Sequence, residues 1–338
     1  MTTIRDVARR ARVAPMTVSR VLNNPDSVSA ATRTRVRTAI DELSYIPNMI
    51  GQALRHKLTG AIGLVVSDIT NPFAIQQITG VSGAARERGF SVIFAQTESD
   101  PDEEMRQLRS MIERRVDGII LSPVFNTPDS VDFVSSARGT VVVLGYPMPH
   151  NDVDVVRCDT RAAAHHATEH LLRLGHRRIS MLSGAAGIVT ARERAEGYEN
   201  AMRAAGLEPD VRYGAFTITS GLEMATAALV ADARPTALVT ASNFIALGAA
   251  QAAQRAGLSI PNDLSVTTFD NSSTDVVLDP FFTGVIQPVA DMAAAATTLL
   301  IDRIQQRLVG PGREVVMPTT FEVHGSTAPP PDFLQLAK

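Results

Sequence analysis

Residues 3–23 read TIRDVARRARVAPMTVSRVLN, and this stretch decides the fold of the first part of the chain. A helix over residues 3–11 is predicted by four apolar residues at i, i+3, i+4 and i+7: Ile4, Val7, Ala8 and Ala11. Thr3 is a suitable N-cap, with Asp6 placed three residues later in the first turn. A second helix is predicted from Pro15, because proline suits the first helical position, and Pro25 ends it.

A third helix is predicted after Ser29 and ends near Ser44. The apolar residues predicted to face the interior of this three-helix unit are Val18, Val21, Leu22, Val36, Ile40 and Leu43. Two short helices joined by a tight connection, and supported by a third helix, form a helix-turn-helix unit. The second helix of such a unit enters the DNA major groove. A three-helix bundle without any nucleic-acid role is the alternative that the pattern alone leaves open.

The distribution of charge favours the DNA-binding interpretation. Residues 1–60 hold ten arginines and lysines against four acidic residues, a net charge of +6, whereas the whole chain carries −3. The other 278 residues therefore carry −9. A basic head on an acidic body predicts a polyanionic partner for the head alone.

The longer stretch TIRDVARRARVAPMTVSRVLNNPDSVSAATRTRVRTAIDELSYIPN, at residues 3–48, resembles the DNA-binding head of the LacI/GalR family of bacterial transcription regulators. The segments TVSRVLN, V-S-x-x-T-R-x-R-V and Y-x-P-N occur in the family's order. The resemblance implies an all-α helix-turn-helix domain over residues 1–47 that binds pseudo-palindromic operator DNA. It places Pro15, Met16 and Arg20 at base-reading positions, and arginine suits bidentate recognition of guanine.

The resemblance also implies residues that fix the head on the duplex without reading its sequence. Thr17, Ser19, Asn23 and Thr32 are expected to contact phosphate, and Thr3 and Asn48 complete the implied DNA-binding set. One departure from the family precedes the second helix, where the usual Gly-Val-Ser is replaced by Arg12-Val13-Ala14. Alanine offers no side-chain oxygen at an N-cap, a loss of about 1 kcal/mol.

Residues 48–58 are assigned to a hinge helix and linker. In the family this stretch orders on operator DNA, and Leu54 occupies the position of a leucine that wedges into the minor groove and kinks the duplex. Gly51-Gln52 replaces the family's usual Ala-Arg, and a glycine inside a helix costs about 0.5–1 kcal/mol relative to alanine. We therefore expect the free protein to lack amide-exchange protection across residues 48–56.

From Gly60 onward, apolar runs alternate with amphipathic helices. Strands are predicted at residues 61–66, 91–95, 118–122, 140–144, 179–183, 237–240, 264–269 and 283–286. Helices are predicted at residues 74–88, 102–115, 160–174, 192–205, 220–233 and 244–256. This alternation, which restarts near residue 160, predicts an α/β body of two doubly wound parallel-sheet lobes with a ligand cleft at the carboxyl ends of the strands.

The resemblance extends to about residue 324 and implies a body like the type I periplasmic sugar-binding proteins, used for effector binding and dimerisation. Its landmarks include Asn71-Pro72-Phe73, Leu174-Gly175-His176-Arg177 and Ala191-Arg192-Glu193-Arg194. The effector-binding and dimerisation domain is assigned to residues 59–325. The N-lobe takes residues 60–158 and 288–318, the C-lobe takes residues 160–286 and 320–325, and residues 326–338 are assigned to a flexible tail.

Six side chains are expected to bind the effector by matching family motifs: Phe73, Arg194, Phe216, Asn243, Asp270 and Gln287. Arg194 offers planar donors to hydroxyls or carboxylates, and Phe216 stands where an aromatic side chain stacks on the ligand. Two departures make the site less negative. Gly145-Tyr146-Pro147 replaces an Asp-Arg pair after the fourth strand, and Ser242-Asn243 replaces Asn-Asp. This suggests an acidic sugar derivative or sugar phosphate as effector, as an alternative to a neutral sugar.

Other patterns point away from enzymes and membranes. His166 and His170 have the i, i+4 spacing of a metal-binding pair, but without an HExxH pattern we expect solvent-facing histidines beside His165. The GxxxxGK[ST] and GxSxG motifs are absent, and Gly184-Ala185-Ala186-Gly187 lacks the third glycine of a dinucleotide site. We expect no enzyme activity, cofactor or metal. A single cysteine, the lack of a signal segment and the lack of a membrane-length apolar run predict a cytoplasmic protein that joins the nucleoid when bound.

The sequence therefore predicts a homodimeric, sequence-specific DNA-binding repressor controlled by a small sugar-like effector between its lobes. A periplasmic-type sugar receptor without a DNA role and an α/β enzyme are the alternatives from other classes. Induction or co-repression, and repression or activation, are left open. Residues 325–338 contain three consecutive prolines and no leucine heptad, so we expect no tetramer built on a C-terminal zipper.

Overall fold

The computed structural model describes residues 2–45, 58–123, 128–136, 141–148, 153–270 and 281–331. It divides the chain into two compact units, a head over Met1–Thr59 and a body over Gly60–Lys338.

The head contains three helices, α1 (Ile4–Ala11), α2 (Pro15–Asn23) and α3 (Ala30–Glu42), with a 3-10 turn at Pro25–Ser27. Thr3 and Asp6 cap α1 reciprocally, since each side chain accepts from the backbone N–H of the other. Ser29 caps α3 through the N–H of Thr32. The core of the head is small, and its fully enclosed side chains are Val7, Val18 and Val36. These three helices confirm the predicted helix-turn-helix unit.

The first half of the body alternates strands and helices in the order β1 (Ala61–Val66), α4 (Pro72–Glu87), β2 (Ser91–Gln96), α5 (Pro101–Glu113), β3 (Gly118–Leu121), α6 (Pro128–Ser136), β4 (Val141–Leu144) and β5 (Asp154–Cys158). The strands are short and β-branched, and β1, β3 and β4 are buried because helices cover both faces of the sheet. With β11 (Glu314–Met317) they form a six-stranded parallel sheet of order β11-β5-β4-β3-β1-β2.

The second half repeats the pattern with α7 (Thr160–Arg173), β6 (Ile179–Ser183), α8 (Val189–Ala204), β7 (Asp210–Tyr213), α9 (Ile218–Leu229), β8 (Ala237–Thr240), α10 (Asn243–Arg255), β9 (Ser265–Phe269) and β10 (Thr283–Ile286). Its sheet has the order β12-β10-β9-β8-β6-β7, and only β12 (Thr320–Glu322) runs antiparallel, against β10. The two sheets confirm the predicted pair of doubly wound lobes, called the N-lobe and the C-lobe below.

The chain passes between the sheets after β5, after β10 and after β11, so the N-lobe is completed by a late part of the sequence. Helix α11 (Val289–Ile304) packs on α4 and on the N-lobe strands. Asp154 on β5 is buried and receives two hydrogen bonds from the Arg303 guanidinium, at 2.8 and 3.0 Å, and one from the Arg313 N–H. This buried fork joins β5, the end of α11 and the start of β11.

Two details of the body differ from the sequence-based expectations. Residues 326–331 were assigned to a flexible tail, but Ser326 is fully buried and its hydroxyl bonds the carbonyl of Val266. His176 anchors the same segment, since its Nε2 lies 2.9 Å from the carbonyl oxygen of Ala328. The expectation of solvent-facing histidines is wrong for His170, which is half-buried beside Phe321 because β12 lies against α7.

Candidate nucleic-acid interface and effector cleft

The start of α2 is open to an approaching ligand. Ala14 is the N-cap and makes no side-chain capping bond, as its missing oxygen predicts. A helix start without a side-chain cap attracts anions through the helix dipole. Pro15, Met16 and Arg20 are exposed, and 57% of the surface of Met16 is accessible. Met16 in the first turn and Arg20 in the last turn of this short helix form an accessible surface for base edges.

The other predicted DNA-binding residues have different surroundings. Thr17 and Ser19 are half-buried on α2, and the Oγ1 atom of Thr32 accepts from the Ser29 hydroxyl at 3.1 Å. Thr3 is exposed, but its hydroxyl already donates a hydrogen bond to the Asp6 carboxylate. The side chain of Asn23, and the whole of Asn48 and Leu54, lie outside the described residues.

The positive charge of the head is only partly paired. Three arginines contact acids within the head, in the pairs Arg9–Asp6 at 3.3 Å, Arg10–Glu42 at 2.6 Å and Arg33–Asp26 at 3.3 Å. Five others in the described part of the head are exposed: Arg5, Arg12, Arg20, Arg35 and Arg37. Such exposed charges contribute to binding a phosphate backbone and make that binding depend on salt.

Three of the six predicted effector residues meet in the C-lobe. Arg194 lies on α8, Asp270 directly follows β9, and Gln287 directly follows β10. The amide Nε2 of Gln287 donates to Asp270 Oδ1 at 2.5 Å, and Arg194 Nη1 lies 3.9 Å from Asp270 Oδ2. Asp270 is held at a φ of +60°, an uncommon backbone conformation for a residue with a side chain.

Arg194 is the most enclosed charge of this constellation, with only 6% of its surface accessible. Its guanidinium lies 4.3 Å from the centre of the Phe269 ring and donates to the carbonyl of Ala241. The Nε atom is buried and has no hydrogen-bond partner within the described structure. Burial lowers the pKa of Arg194 and raises the pKa of Asp270, and the attraction between the two charges opposes both shifts.

Two of the remaining predicted effector residues lie near the carboxyl ends of C-lobe strands, and the third lies in the N-lobe. The Phe216 ring lies over the backbone of Gly184, where an added Cβ would come within 2.2 Å of the ring. Asn243 begins α10 two residues after Ala241, and its Oδ1 accepts from the N–H of Phe244. Phe73 belongs to the N-lobe, on the first turn of α4.

The N-lobe presents a polar pair that the sequence analysis missed. Gln77 lies one helical turn after Phe73 and is fully buried. Its Nε2 donates to the hydroxyl of Ser122, which follows β3, at 3.0 Å, while its Oε1 is buried without a partner within the described structure. The i, i+4 relation to Phe73 is the sequence signal that could have identified Gln77.

A contact between the lobes shows that the carboxyl ends of the two sheets face each other. Tyr146, two residues after β4, accepts a hydrogen bond on its hydroxyl from the N–H of Val189 in α8, at 2.8 Å. Its ring is 3% exposed and packs in an apolar cluster that includes Ile188 and Ala191 of the C-lobe. We call this contact the lobe clasp. It positions the start of the helix that carries Arg194.

Two other kinds of site are absent from the described part of the chain. No group of three or more His, Cys, Asp or Glu side chains among those residues is arranged to hold a metal ion. No described helix is both long and apolar enough to cross a membrane.

Comparisons with known proteins agree with this architecture. Residues 3–48 match the sequence profile described as "Bacterial regulatory proteins, lacI family", and residues 59–304 match "Periplasmic binding proteins and sugar binding domain of LacI family". The chain is 32% identical over 329 residues to catabolite control protein A of Priestia megaterium, a match covering 96% of this chain and 99% of that protein.

Two solved structures extend the comparison to the fold. The Lac repressor dimer bound to operator and the anti-inducer ONPF has a TM-score of 0.87 and 26% identity, over 97% of this chain and 99% of that one. A complex of the transcriptional regulator CelR with cellobiose has a TM-score of 0.73 and 32% identity, over 96% of this chain and 100% of that one.

A helix-turn-helix head joined to a two-lobed body with a polar cleft defines a class of ligand-responsive bacterial regulators. The chain belongs to the lacI family of that class. The resemblance found in the sequence is thereby confirmed: the protein is a DNA-binding transcription regulator with a sugar-binding type of body, and not an enzyme.

Proposed function

We propose that this protein is a repressor that binds a pseudo-palindromic operator as a homodimer and responds to a small sugar-like effector in its cleft. It acts in the bacterial cytoplasm and joins the nucleoid when it is bound to DNA. The observation that carries the proposal is the buried constellation of Arg194, Asp270 and Gln287, in a chain that also exposes a recognition helix.

On DNA, α2 enters the major groove with Arg20 as the guanine reader and with Pro15 and Met16 against neighbouring base edges. Thr17, Ser19, Asn23 and Thr32 contact phosphate, with Thr3 and Asn48 at the ends of the head. Leu54 wedges into the centre of the operator from each protomer. The relative solved with operator is a dimer, which supports a two-fold arrangement of two heads on one site.

The effector occupies the cleft between Phe73 of the N-lobe and the C-lobe residues Arg194, Phe216, Asn243, Asp270 and Gln287. A neutral sugar is favoured over an acidic one, because the charge of Arg194 is already opposed by Asp270. The acidic effector suggested by the sequence required an arginine without such a partner. The relative solved as a complex with cellobiose binds a neutral sugar in its own structure.

Control of DNA binding follows from a difference in effector affinity between two lobe arrangements. The effector touches both lobes and therefore biases the angle between them. That angle sets the separation of the two N-lobes of the dimer, and with it the separation of the hinges and heads.

The first test is selection of DNA sites from random duplexes by the purified full-length protein, followed by affinity measurements on the selected site. We expect a two-fold symmetric site, a preference that relaxes at one position in Arg20→Ala, and a uniform loss of affinity in Arg5→Ala. Selection without any sequence preference would contradict the proposal.

The second test is a thermal-shift screen of neutral sugars, sugar acids and sugar phosphates. A ligand at 100 times its Kd stabilises the protein by about 2.7 kcal/mol. We expect a stabilising sugar that also changes the affinity for the selected site, and the loss of both effects in Arg194→Ala and Asp270→Ala. Effects that persist in both variants would place the effector outside the cleft.

A further inference from the structure

Among the buried polar atoms without a hydrogen-bond partner in the described structure, one in each lobe belongs to a residue near the carboxyl ends of the strands. On the C-lobe this atom is Arg194 Nε, a donor, and on the N-lobe it is Gln77 Oε1, an acceptor. A buried polar group without a hydrogen bond costs folding free energy, so unpaired atoms in a binding cleft point to a ligand that pairs them.

The environment of Gln77 favours a ligand contact over a purely structural role. The N-lobe sheet has the order β4-β3-β1-β2, so its strand order reverses between β3 and β1, the point where ligands bind in open parallel sheets. Ser122, the hydrogen-bond partner of Gln77, directly follows β3 at this point. Gly145, which follows β4 with a φ of +79°, lies beside the carboxamide, since an added Cβ would stand 3.9 Å from Nε2.

We propose that Gln77, oriented by Ser122, is a specificity-determining residue of the effector site and accepts a hydrogen bond from a hydroxyl group of a neutral sugar. Hydroxyl groups are the natural partners because each can donate or accept. One hydroxyl of the sugar can donate to Gln77 Oε1, and another can accept from Arg194 Nε. The proposal rests on the proposed function and adds the N-lobe residue that selects among sugars.

The test uses the full-length protein with D-ribose, D-glucose and cellobiose as probes, measured by calorimetric titration. Gln77→Met keeps the length of the side chain and removes its acceptor. Gln76→Met, one residue earlier on the same helix, is the matched control. We expect at least one of the three sugars to bind, with about tenfold weaker binding in Gln77→Met and unchanged binding in Gln76→Met.

Two further readouts separate ligand recognition from a structural role. Without sugar, the Tm of Gln77→Met should change little, because the loss of the hydrogen bond to Ser122 is offset by removal of a buried unpaired oxygen. Analogues of the bound sugar that each lack one hydroxyl provide the second readout. One of them should bind the wild-type protein much more weakly than the sugar does, but should bind Gln77→Met as tightly as the sugar does. If Gln77→Met does not fold, Gln77→Asn serves instead, because it withdraws the carbonyl oxygen by one methylene.

The proposal is overturned if none of the three sugars binds, if Gln77→Met binds as tightly as the wild type, or if its only effect is a lower Tm. Its failure is distinct from failure of the proposed function. A protein that binds gluconate or ribose 5-phosphate through Arg194, and then changes its affinity for operator, would keep the proposed function and exclude this role for Gln77.

Discussion

Removing one oxygen atom from the lobe clasp should shift the balance between open and closed forms of the cleft. Tyr146→Phe keeps the ring and its apolar contacts with Ile188, and removes only the hydroxyl that accepts from the Val189 N–H. If the lobes separate, both groups reach water, so the contact stabilises only the arrangement in which the lobes touch.

The magnitude follows from the type of bond. A neutral hydrogen bond contributes about 1 kcal/mol net, which changes an equilibrium constant about fivefold. If the effector binds the closed form, its Kd should rise by up to about fivefold in Tyr146→Phe. Burial raises the pKa of Tyr146 to about 12, so the hydroxyl stays neutral and this estimate holds throughout the physiological pH range.

The assay is calorimetric titration of the stabilising sugar, combined with small-angle X-ray scattering of the ligand-free protein. Tyr213→Phe is the control, because Tyr213 is 44% exposed on the edge strand β7. We expect weaker binding and a larger radius of gyration for Tyr146→Phe only. Equal Kd values and identical scattering for wild type and Tyr146→Phe would refute a closing role for the hydroxyl.

Three further predictions concern stability. Ala14→Ser should stabilise the start of α2 by about 1 kcal/mol by supplying the missing cap, seen as increased amide-exchange protection there; unchanged protection would show that serine does not cap. Burial lowers the pKa of His176 to about 4, below its usual 6.5, so stability should be lost as the pH falls from 6.5 towards 4. The free energy of unfolding should fall by about 2 kcal/mol between pH 7 and pH 5. Denaturant unfolding should show this fall in the exposed control His166→Asn and a much smaller one in His176→Asn. An equal dependence of stability on pH in the two variants would contradict the prediction. Gly197→Ala should lower the Tm strongly, because its Cβ would come within 2.1 Å of a backbone oxygen of α7, whereas Gly83→Ala has open space and should be neutral or stabilising; equal Tm values would contradict this packing.

The interior of the fold could be predicted from the sequence more completely than its edges. Buried parallel strands such as β1 and β6 are continuous apolar runs bounded by turns, and this pattern can be recognised in the sequence alone. The strands that were missed are β5, β7, β11 and β12. The last three lie at the sheet edges with partly exposed side chains, and β5 carries Asp154 and Arg157 within a short apolar run. Their partners, not their own composition, make them strands.

The effector site likewise contains residues that the sequence identifies and residues that only the fold reveals. Arg194, Asp270 and Gln287 lie in recognisable motifs, and the structure joins all three in the C-lobe although they are far apart in the chain. Gln77 carries only the weak signal of its i, i+4 relation to Phe73, and Tyr146 carries none, because their roles depend on pairings with Ser122 and Val189 that only the folded lobes create. The sequence also does not show that Arg194 lies beside Asp270. This pairing changes the expected effector from an acidic sugar to a neutral one.

The buried fork around Asp154 has a consequence for how the protein is made. The N-lobe needs α11 and β11, which end at Met317, so its sheet and its apolar interior stay incomplete on the ribosome until nearly the whole chain has emerged. The head, by contrast, has all three of its helices once Glu42 is outside the exit tunnel. Domains generally fold as units in the order of their synthesis. A nascent chain therefore carries a folded DNA-binding head well before it carries a body able to receive a signal, and premature termination after β9 would remove part of both lobes at once.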